Sequence, residues 1–362
     1  MTLTGTLLQV LLVVLALAAL GVTVWLMPRM KRSLGRIGML LGCQLCALLA
    51  LLAVGNAYFD FYHSWGDLTG NVSEAAAGPG LTGVAEVTHV RDSFIDAHRL
   101  SPSDGGLQSV VIHGRRSGIS TPAYIYLPPQ YAKEPNRRFP VTVAFTGYPG
   151  NAQNLITRMQ LPQLASHEIA AARTQPMIFV MLRPMVTPPR DTECTDVPGG
   201  PQAETFFAQD LPTAIGAAYH TAAGPHGWGL LGDSTGGYCA AKLVMRHSDR
   251  FSAAVSLSGY FHALTDFTTG DLYGGSKAYR GENDLFWRLE HLPPPPVSIL
   301  VTSSRSGERD YPQVQRFIKL ARPPTEVDSL ILPSGGHHFS VWRRELPSAL
   351  RWLSDRLMGQ RG

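Results

Sequence analysis

Two long runs without a charged side chain lie near the start of the chain. They cover residues 3–27 and 37–59, and each is long enough to cross the hydrocarbon core of a bilayer as an α-helix. No Asp or Glu occurs before residue 60, and the cations of this region are confined to the short link between the runs. The sequence therefore predicts a membrane anchor in residues 1–65 with two transmembrane helices.

The cations of that link set the expected orientation. They are Arg29, Lys31, Arg32 and Arg36, and together they equal the formal net charge of +4 of the whole chain. The positive-inside rule places this link in the cytoplasm, and everything after residue 60 outside it. A cleaved signal peptide fits less well, because no basic residue precedes the first run and a second run follows. The predicted location is thus a multi-pass protein of the cytoplasmic membrane with an extracytoplasmic domain. Because the basic excess comes from one loop, it gives no reason to predict a nucleic-acid partner.

Beyond the anchor, the pattern changes to that of a globular domain. Residues 66–85 are small, polar and glycine-bearing, which indicates a linker. Over residues 86–362, strand-like runs alternate with helix-like runs, which predicts an α/β domain with a mostly parallel sheet covered by helices on both faces. A short turn between the first two strands predicts an antiparallel hairpin at one edge. The predicted strands are 107–114, 121–128, 140–147, 176–183, 228–232, 253–259, 297–303 and 327–333. The predicted helices are 203–220, 236–247, 311–321 and 345–357.

The stretch G-D-S-T-G places Ser234 between Gly232 and Gly236, directly after a predicted strand and just before a predicted helix. Strand, tight turn and helix form the context of a nucleophile elbow, in which glycines allow close backbone approach. The helix N-terminus behind the serine offers N–H groups to a developing oxyanion. An ordinary serine N-cap would explain the serine but not both glycines. The motif therefore predicts that Ser234 is a nucleophile.

A serine nucleophile needs a general base and an acid that orients the base. His337 follows two glycines in the loop before the last helix and is the predicted base, with His338 as the alternative. In sheets of this kind, the acid lies after one late strand and the histidine lies after the next. The acid is therefore expected after strand 297–303. Glu308 and Asp310 both lie there, and Glu308 is favoured over Asp310 because of its expected reach.

Two backbone N–H groups are candidates for an oxyanion hole. One belongs to Thr235, directly after the serine, and the other to Tyr148, in the loop after strand 140–147.

The loop after strand 176–183 holds a cysteine and three acids. Cys194 and Cys239 both lie in the exported part, where a disulfide between them is possible. Asp191, Glu193 and Asp196 surround Cys194, but no histidine accompanies them, so neither a metal site nor any cofactor is predicted.

With these elements in place, the exported part resembles the putative esterase family of α/β-hydrolases. This family includes esterase D-like enzymes and the mycolyltransferases of the antigen 85 complex. The resemblance covers roughly residues 105–358 and is carried by FTGYPGN, GDSTGGY, AAVSLSGY and GGHHFSVWRRELPSALRWL. It implies an α/β-hydrolase fold with Ser234 as nucleophile, His337 as base, and Tyr148 and Thr235 as oxyanion donors. The two spans ahead of the domain are similar to those of membrane-anchored actinobacterial members.

The sequence also departs from the family at useful points. Thr235 stands where methionine is common, and His338 stands where small polar residues are usual. No stretch resembles the long tunnel for a mycolyl chain. The leading interpretation is a serine esterase anchored in the membrane that acts on a small-molecule, lipid or glycan ester. An acyltransferase that uses a sugar or lipid hydroxyl is the alternative. A non-catalytic, membrane-tethered binding module is the alternative from another class.

Overall fold

The structure is a computed structural model that describes residues 3, 5–59, 65 and 85–361. The chain divides into two compact units, Met1–Glu74 and Ala75–Gly362. The predicted linker falls almost entirely on residues outside the described part.

The first unit contains the two helices that the charge-free runs predict. They are α1, Thr6–Leu26, and α2, Ser33–Phe59, with a short 3-10 turn at Met27–Arg29 after α1. Both are long and apolar enough to cross a bilayer, with a mean hydropathy of 2.7 and 2.4. Only 6% of each apolar window is buried within the structure, unlike the core helix of a globular protein.

The second unit is built on a nine-stranded sheet with the order β1-β2-β3-β6-β5-β7-β8-β9-β10. The strands are β1 Glu86–His89, β2 Gly106–His113, β3 Ser120–Leu127, β4 Arg137–Arg138, β5 Val141–Phe145, β6 Ile178–Leu182, β7 Trp228–Asp233, β8 Ala253–Leu257, β9 Ser298–Ser304, β10 Glu326–Leu332 and β11 Gln360–Arg361. The short β4 and β11 pair separately.

The further helices of this unit lie between and after these strands. They are α3 Ser93–Ala97, α4 Gln153–Thr157, α5 Leu161–Ala170, α6 Ala203–Thr205, α7 Leu211–Ala218, α8 Thr235–Arg246, α9 Lys277–Asn283, α10 Leu285–His291, α11 Tyr311–Leu320 and α12 Phe339–Ser354.

The sheet confirms the predicted α/β class. From β6 to β10 the neighbouring strands run parallel, whereas β1, β2 and β3 are antiparallel to their neighbours at one edge. The predicted hairpin is the pair β2–β3. After β5 the chain moves to β6 on one side and then to β7 on the other, so strand order reverses between β5 and β7. Crevices at such a reversal, at the carboxyl ends of the strands, are where ligands bind in open α/β sheets.

Each face of the sheet carries its own apolar core. Successive residues of a strand point to opposite faces, so Phe145 packs into one core and Ala144 into the other. Helices α7 and α8 cover the first face, and α5 and α12 cover the second. Because the central strands are buried on both faces, their sequences are near-continuous apolar runs.

One predicted helix is divided in the structure. Instead of a single helix over 203–220, α6 is followed by a π-helical turn at Phe206–Asp210 and then by α7. Pro212 lies in the first turn of α7 and has no N–H to donate, so the regular hydrogen-bond pattern cannot continue through it.

Candidate active site

Ser234 lies at the turn between β7 and α8 with φ 53° and ψ −121°. A positive φ is strained for a serine and is typical of a functional turn. The two flanking glycines are required by space. A Cβ on Gly232 would collide with the backbone of Gly236, and a Cβ on Gly236 would lie 2.5 Å from the carbonyl oxygen of Phe145 in β5. The turn is therefore tight enough to expose the serine hydroxyl at the carboxyl edge of the sheet.

His337 reaches this hydroxyl from the loop after β10. Its Nε2 lies 2.8 Å from Oγ of Ser234, a distance at which the imidazole can accept the hydroxyl proton. His338 does not make this contact; its Nδ1 bonds to the hydroxyl of Ser340 at 2.8 Å. Of the two histidines, the structure therefore brings only His337 to the serine.

The surroundings of His337 favour its neutral form. The ring packs edge-to-face against Trp342, with 5.1 Å between the ring centroids. Desolvation by burial lowers the pKa of His337, while the negative charges of Glu308 and then Asp310 act in the opposite direction. The net effect is a lowered pKa, so the imidazole is a free base near neutral pH.

Glu308 is held firmly in the loop after β9. Its carboxylate accepts a hydrogen bond from the hydroxyl of Ser258 and another, of 2.7 Å, from the hydroxyl of Ser303. Asp310 instead accepts from the side chain of Gln313 at 3.3 Å. Within residues 85–361, neither carboxylate hydrogen-bonds to His337. Glu308 nevertheless has the larger electrostatic effect on the histidine, which favours it over Asp310 as the acid.

The two candidate oxyanion donors flank the serine. Thr235 is the first residue of α8, so its N–H has no acceptor within the helix. Tyr148 lies in the loop after β5, and its phenol hydroxyl donates to the carbonyl of Pro189 at 3.0 Å. The preceding residue, Gly147, approaches the elbow so closely that an added Cβ would lie 2.9 Å from Cβ of Ser234.

A buried polar network adjoins this site, and the sequence analysis did not predict it. The hydroxyl of Tyr260 donates to the carboxyl of Glu193 and also lies 3.4 Å from the hydroxyl of Thr235. The Thr235 hydroxyl in turn lies 3.5 Å from Asp191. The fully buried ammonium of Lys242 donates to the carbonyl of Glu193 at 2.6 Å. The network thus connects the residue after the nucleophile to the loop after β6.

Burial dominates the charges of this network. Desolvation raises the pKa of Asp191 to about 6 and also raises the pKa of Glu193, which the Asp191 charge raises further. Desolvation also lowers the pKa of Lys242. Strongly shifted groups of this kind cluster at functional sites, although structural networks produce them too.

Cys194, in the loop after β6, forms a disulfide with Cys239 of α8, and the two Cα atoms lie 5.7 Å apart. It fastens the loop after β6 to helix α8. The third acid of the loop, Asp196, is turned away and accepts from the N–H and hydroxyl of Thr205 at 2.9 Å and 2.6 Å. Among the described residues, no group of three or more His, Cys, Asp or Glu side chains is arranged to hold a metal ion.

Comparison with known proteins places the chain in a family. Residues 116–353 match the family described as putative esterase. Since this match covers more than half of the chain, the protein belongs to the putative esterase family.

Two curated proteins are similar to parts of this chain. An uncharacterised protein of Corynebacterium glutamicum is 23% identical over 255 residues, which are 65% of this chain and 57% of the relative. The MPT51/MPB51 antigen of Mycobacterium tuberculosis is 34% identical over 83 residues, which are 23% of this chain and 27% of the relative. The chain therefore spans less than two thirds of the length of either relative.

Solved structures support the fold. A ferulic acid esterase superposes with a TM-score of 0.61 at 16% identity and covers 70% of this chain and 99% of its own. An S-formylglutathione hydrolase from Agrobacterium tumefaciens superposes with a TM-score of 0.60 at 14% identity and covers 72% of this chain and 98% of its own. Together with the family match, these likenesses confirm the predicted α/β-hydrolase fold.

Proposed function

We propose that the protein is a membrane-anchored serine esterase that hydrolyses carboxylic esters outside the cytoplasm. The observation that carries the proposal is the 2.8 Å contact between Nε2 of His337 and Oγ of the strained Ser234. A hydroxyl at an elbow, hydrogen-bonded to an imidazole with a lowered pKa, is the arrangement that activates serine for attack on a carbonyl. Family membership supports the same reaction class.

The proposed reaction has two halves. Oγ of Ser234 attacks the ester carbonyl while His337 takes the hydroxyl proton, and the N–H groups of Thr235 and Tyr148 stabilise the oxyanion. The intermediate collapses, and His337 returns the proton to the departing alcohol, which leaves an acyl-enzyme. Water then attacks the acyl group with His337 again as base, releasing the carboxylic acid and restoring Ser234. Glu308 stabilises the charged imidazolium in both halves.

Two separate observations support the proposed location. The basic link between the two apolar helices favours a cytoplasmic position for that link, and so favours an extracytoplasmic position for the second unit. The disulfide between Cys194 and Cys239 favours an oxidising compartment for the same unit. Digestion of intact spheroplasts with trypsin tests this location, since an extracytoplasmic domain is cleaved and a cytoplasmic one is protected until the membrane is lysed.

The activity is tested with the full-length protein in detergent. Turnover of p-nitrophenyl esters from acetate to palmitate is expected for the wild type and not for Ser234→Ala, and the chain-length profile bounds the acyl pocket. Addition of glycerol or trehalose separates hydrolysis from transfer, because an acyltransferase forms the acylated acceptor in preference to the free acid. Equal, inert behaviour of both proteins toward all esters would contradict the proposal.

A further inference from the structure

Asp233 is a fully buried carboxyl group directly before the proposed nucleophile, and the reaction described above does not use it. Its side chain is 1% exposed, and its Oδ2 accepts a hydrogen bond of 2.9 Å from the N–H of Gly147. Its Oδ1 has no hydrogen-bond partner among the described residues. Gly147 immediately precedes Tyr148, so the carboxyl of Asp233 holds the loop that supplies one oxyanion donor.

The hydrogen bond between Asp233 and Gly147 joins the nucleophile elbow to the loop after β5. These two parts of the site must stay at a fixed distance from each other. The elbow is fixed on its other side by the N–H of Ser234, which donates to the carbonyl of Leu257 in β8 at 3.0 Å. The Gly147 loop approaches the elbow so closely that a side chain on Gly147 would collide with Ser234. Oδ2 of Asp233 binds the Gly147 N–H at this close approach.

The surroundings of the carboxyl are apolar or neutral. In the sheet, Asp233 pairs with Leu257 of β8, whose side chain is fully buried. Burial raises the pKa of the carboxyl, and the groups that lower it are the backbone N–H groups of Gly147 and of Asp233 itself. Desolvation accordingly raises the pKa of Asp233 to about 7.

The cations of α8, the helix that packs behind the elbow, are engaged elsewhere. Lys242 donates to Glu193, Thr195 and Asn283, and Arg246 pairs with Glu204 at 2.6 Å. Neither cation contributes to the stabilisation of an ionised Asp233. A negative charge at this position would oppose the negative charge that develops on the substrate oxygen beside Ser234.

We propose that Asp233 is a positioning residue of the oxyanion hole: its Oδ2 holds the Gly147 N–H, and this role needs an acceptor of the right shape rather than a charge. The inference rests on the proposed function. Asp233 sets the position of the Tyr148 N–H and does not itself contact the substrate. An uncharged side chain with the same shape and acceptor should therefore replace it.

The test compares Asp233→Asn, which keeps the shape and an oxygen acceptor without a charge, with Asp233→Ala and Asp233→Val, which lose the acceptor. All are made in the full-length protein, with p-nitrophenyl butyrate as the probe and thermal melting as the control for folding. Removal of an oxyanion donor costs about 10²–10³ in kcat, and a misplaced donor should cost part of this. We expect kcat of the Asn variant to stay within about threefold of the wild type. For the Ala and Val variants, we expect kcat to fall by about tenfold or more, with KM changed by less than about threefold.

Each outcome decides the matter. If the Asn variant loses as much activity as the Ala and Val variants, the charge is required and the inference is wrong. If Ala or Val retains the kcat of the wild type, the acceptor is not required and the inference is also wrong. If Ala and Val do not fold, a loss of activity in the Asn variant still overturns the inference, because a neutral side chain with the same acceptor should replace Asp233. Failure of the proposed function is distinguishable, since the wild type would then be as inert as Ser234→Ala.

Discussion

Trp342 contacts His337 edge-to-face and at the same time donates its indole N–H to the hydroxyl of Ser258 at 3.0 Å. That hydroxyl in turn donates to the carboxylate of Glu308. One tryptophan thus connects the proposed base with the proposed acid, although the two do not hydrogen-bond to each other within the described residues. The arrangement favours Glu308 over Asp310 as the acid, and Trp342 makes both contacts from the first turn of the last helix.

The assignment of the acid predicts a clear difference between two isosteric variants. Glu308→Gln should lower kcat by about 10²-fold or more, because it removes the charge that stabilises the imidazolium. Asp310→Asn should leave kcat within about threefold, because its carboxylate is engaged by Gln313 and affects His337 less. Ester turnover measured for both variants, with melting curves as the control, decides the matter. A larger loss in Asp310→Asn would reverse the assignment.

The lowered pKa of His337 predicts the direction of the pH dependence. The base acts only when it is neutral, so kcat/KM should rise with pH as the imidazolium loses its proton. Burial lowers the pKa of His337, so the midpoint of that rise should lie below the ordinary histidine value of 6.5. A pH profile of kcat/KM for a soluble ester measures it directly. A midpoint above 6.5 would show that the carboxylates outweigh burial at this residue.

Close packing at the oxyanion loop predicts that Gly147→Ala is strongly impaired. The added Cβ would lie 2.9 Å from Cβ of Ser234, so the loop must move away and carry the Tyr148 N–H with it. We expect kcat to fall by about 10²-fold, the loss typical of one oxyanion donor. Gly106→Ala in β2 is the matched control, since a Cβ there meets no atom within 4 Å. Equal activity of the two variants would disprove the proposed role of the loop.

The disulfide predicts a difference in stability under reducing conditions. Cys194 and Cys239 are 45 residues apart in sequence, and a cross-link that closes a loop of this size contributes about 2–5 kcal/mol by restricting the unfolded chain. Thermal melting with and without dithiothreitol should therefore show a lower melting temperature in the reduced protein. The variant Cys194→Ser/Cys239→Ser should melt like the reduced wild type, and reductant should not change it further. A wild type that melts without reductant at the same temperature as the Cys194→Ser/Cys239→Ser variant would argue against the bond.

Much of the fold could be predicted from the sequence because its signals are local and repeated. Apolar runs buried on both faces of the sheet mark each central strand, and the G-D-S-T-G turn after β7 identified the elbow without reference to any other segment. The order of serine, acid and histidine along the chain is the one typical of α/β-hydrolases. The roles of these three residues stay predictions.

The parts that could not be predicted depend on contacts between distant segments. The partners of Glu308 are hydroxyls from two other loops, and serine and threonine are too common for such pairs to be recognised in advance. Lys242 falls on a helix whose sequence pattern gives no sign that its ammonium is fully buried among carbonyl and hydroxyl oxygens. Asp233 is similar, because its role depends on the distance of closest approach between two turns. The π-helical turn before α7 was also missed, since the apolar pattern continues through it.

The central claim is that His337 activates Ser234, and the most direct measurement is the site of covalent labelling. The full-length protein in detergent is treated with a fluorophosphonate, which reacts only with an activated serine, and the modified peptide is identified by mass spectrometry. The account predicts a single adduct on Ser234 in the wild type, and labelling slowed by about 10²-fold or more in His337→Ala, because the base is lost. An adduct on another serine, or equal labelling rates in the two proteins, would contradict it. Complete absence of labelling in the wild type would favour a non-catalytic, membrane-tethered module.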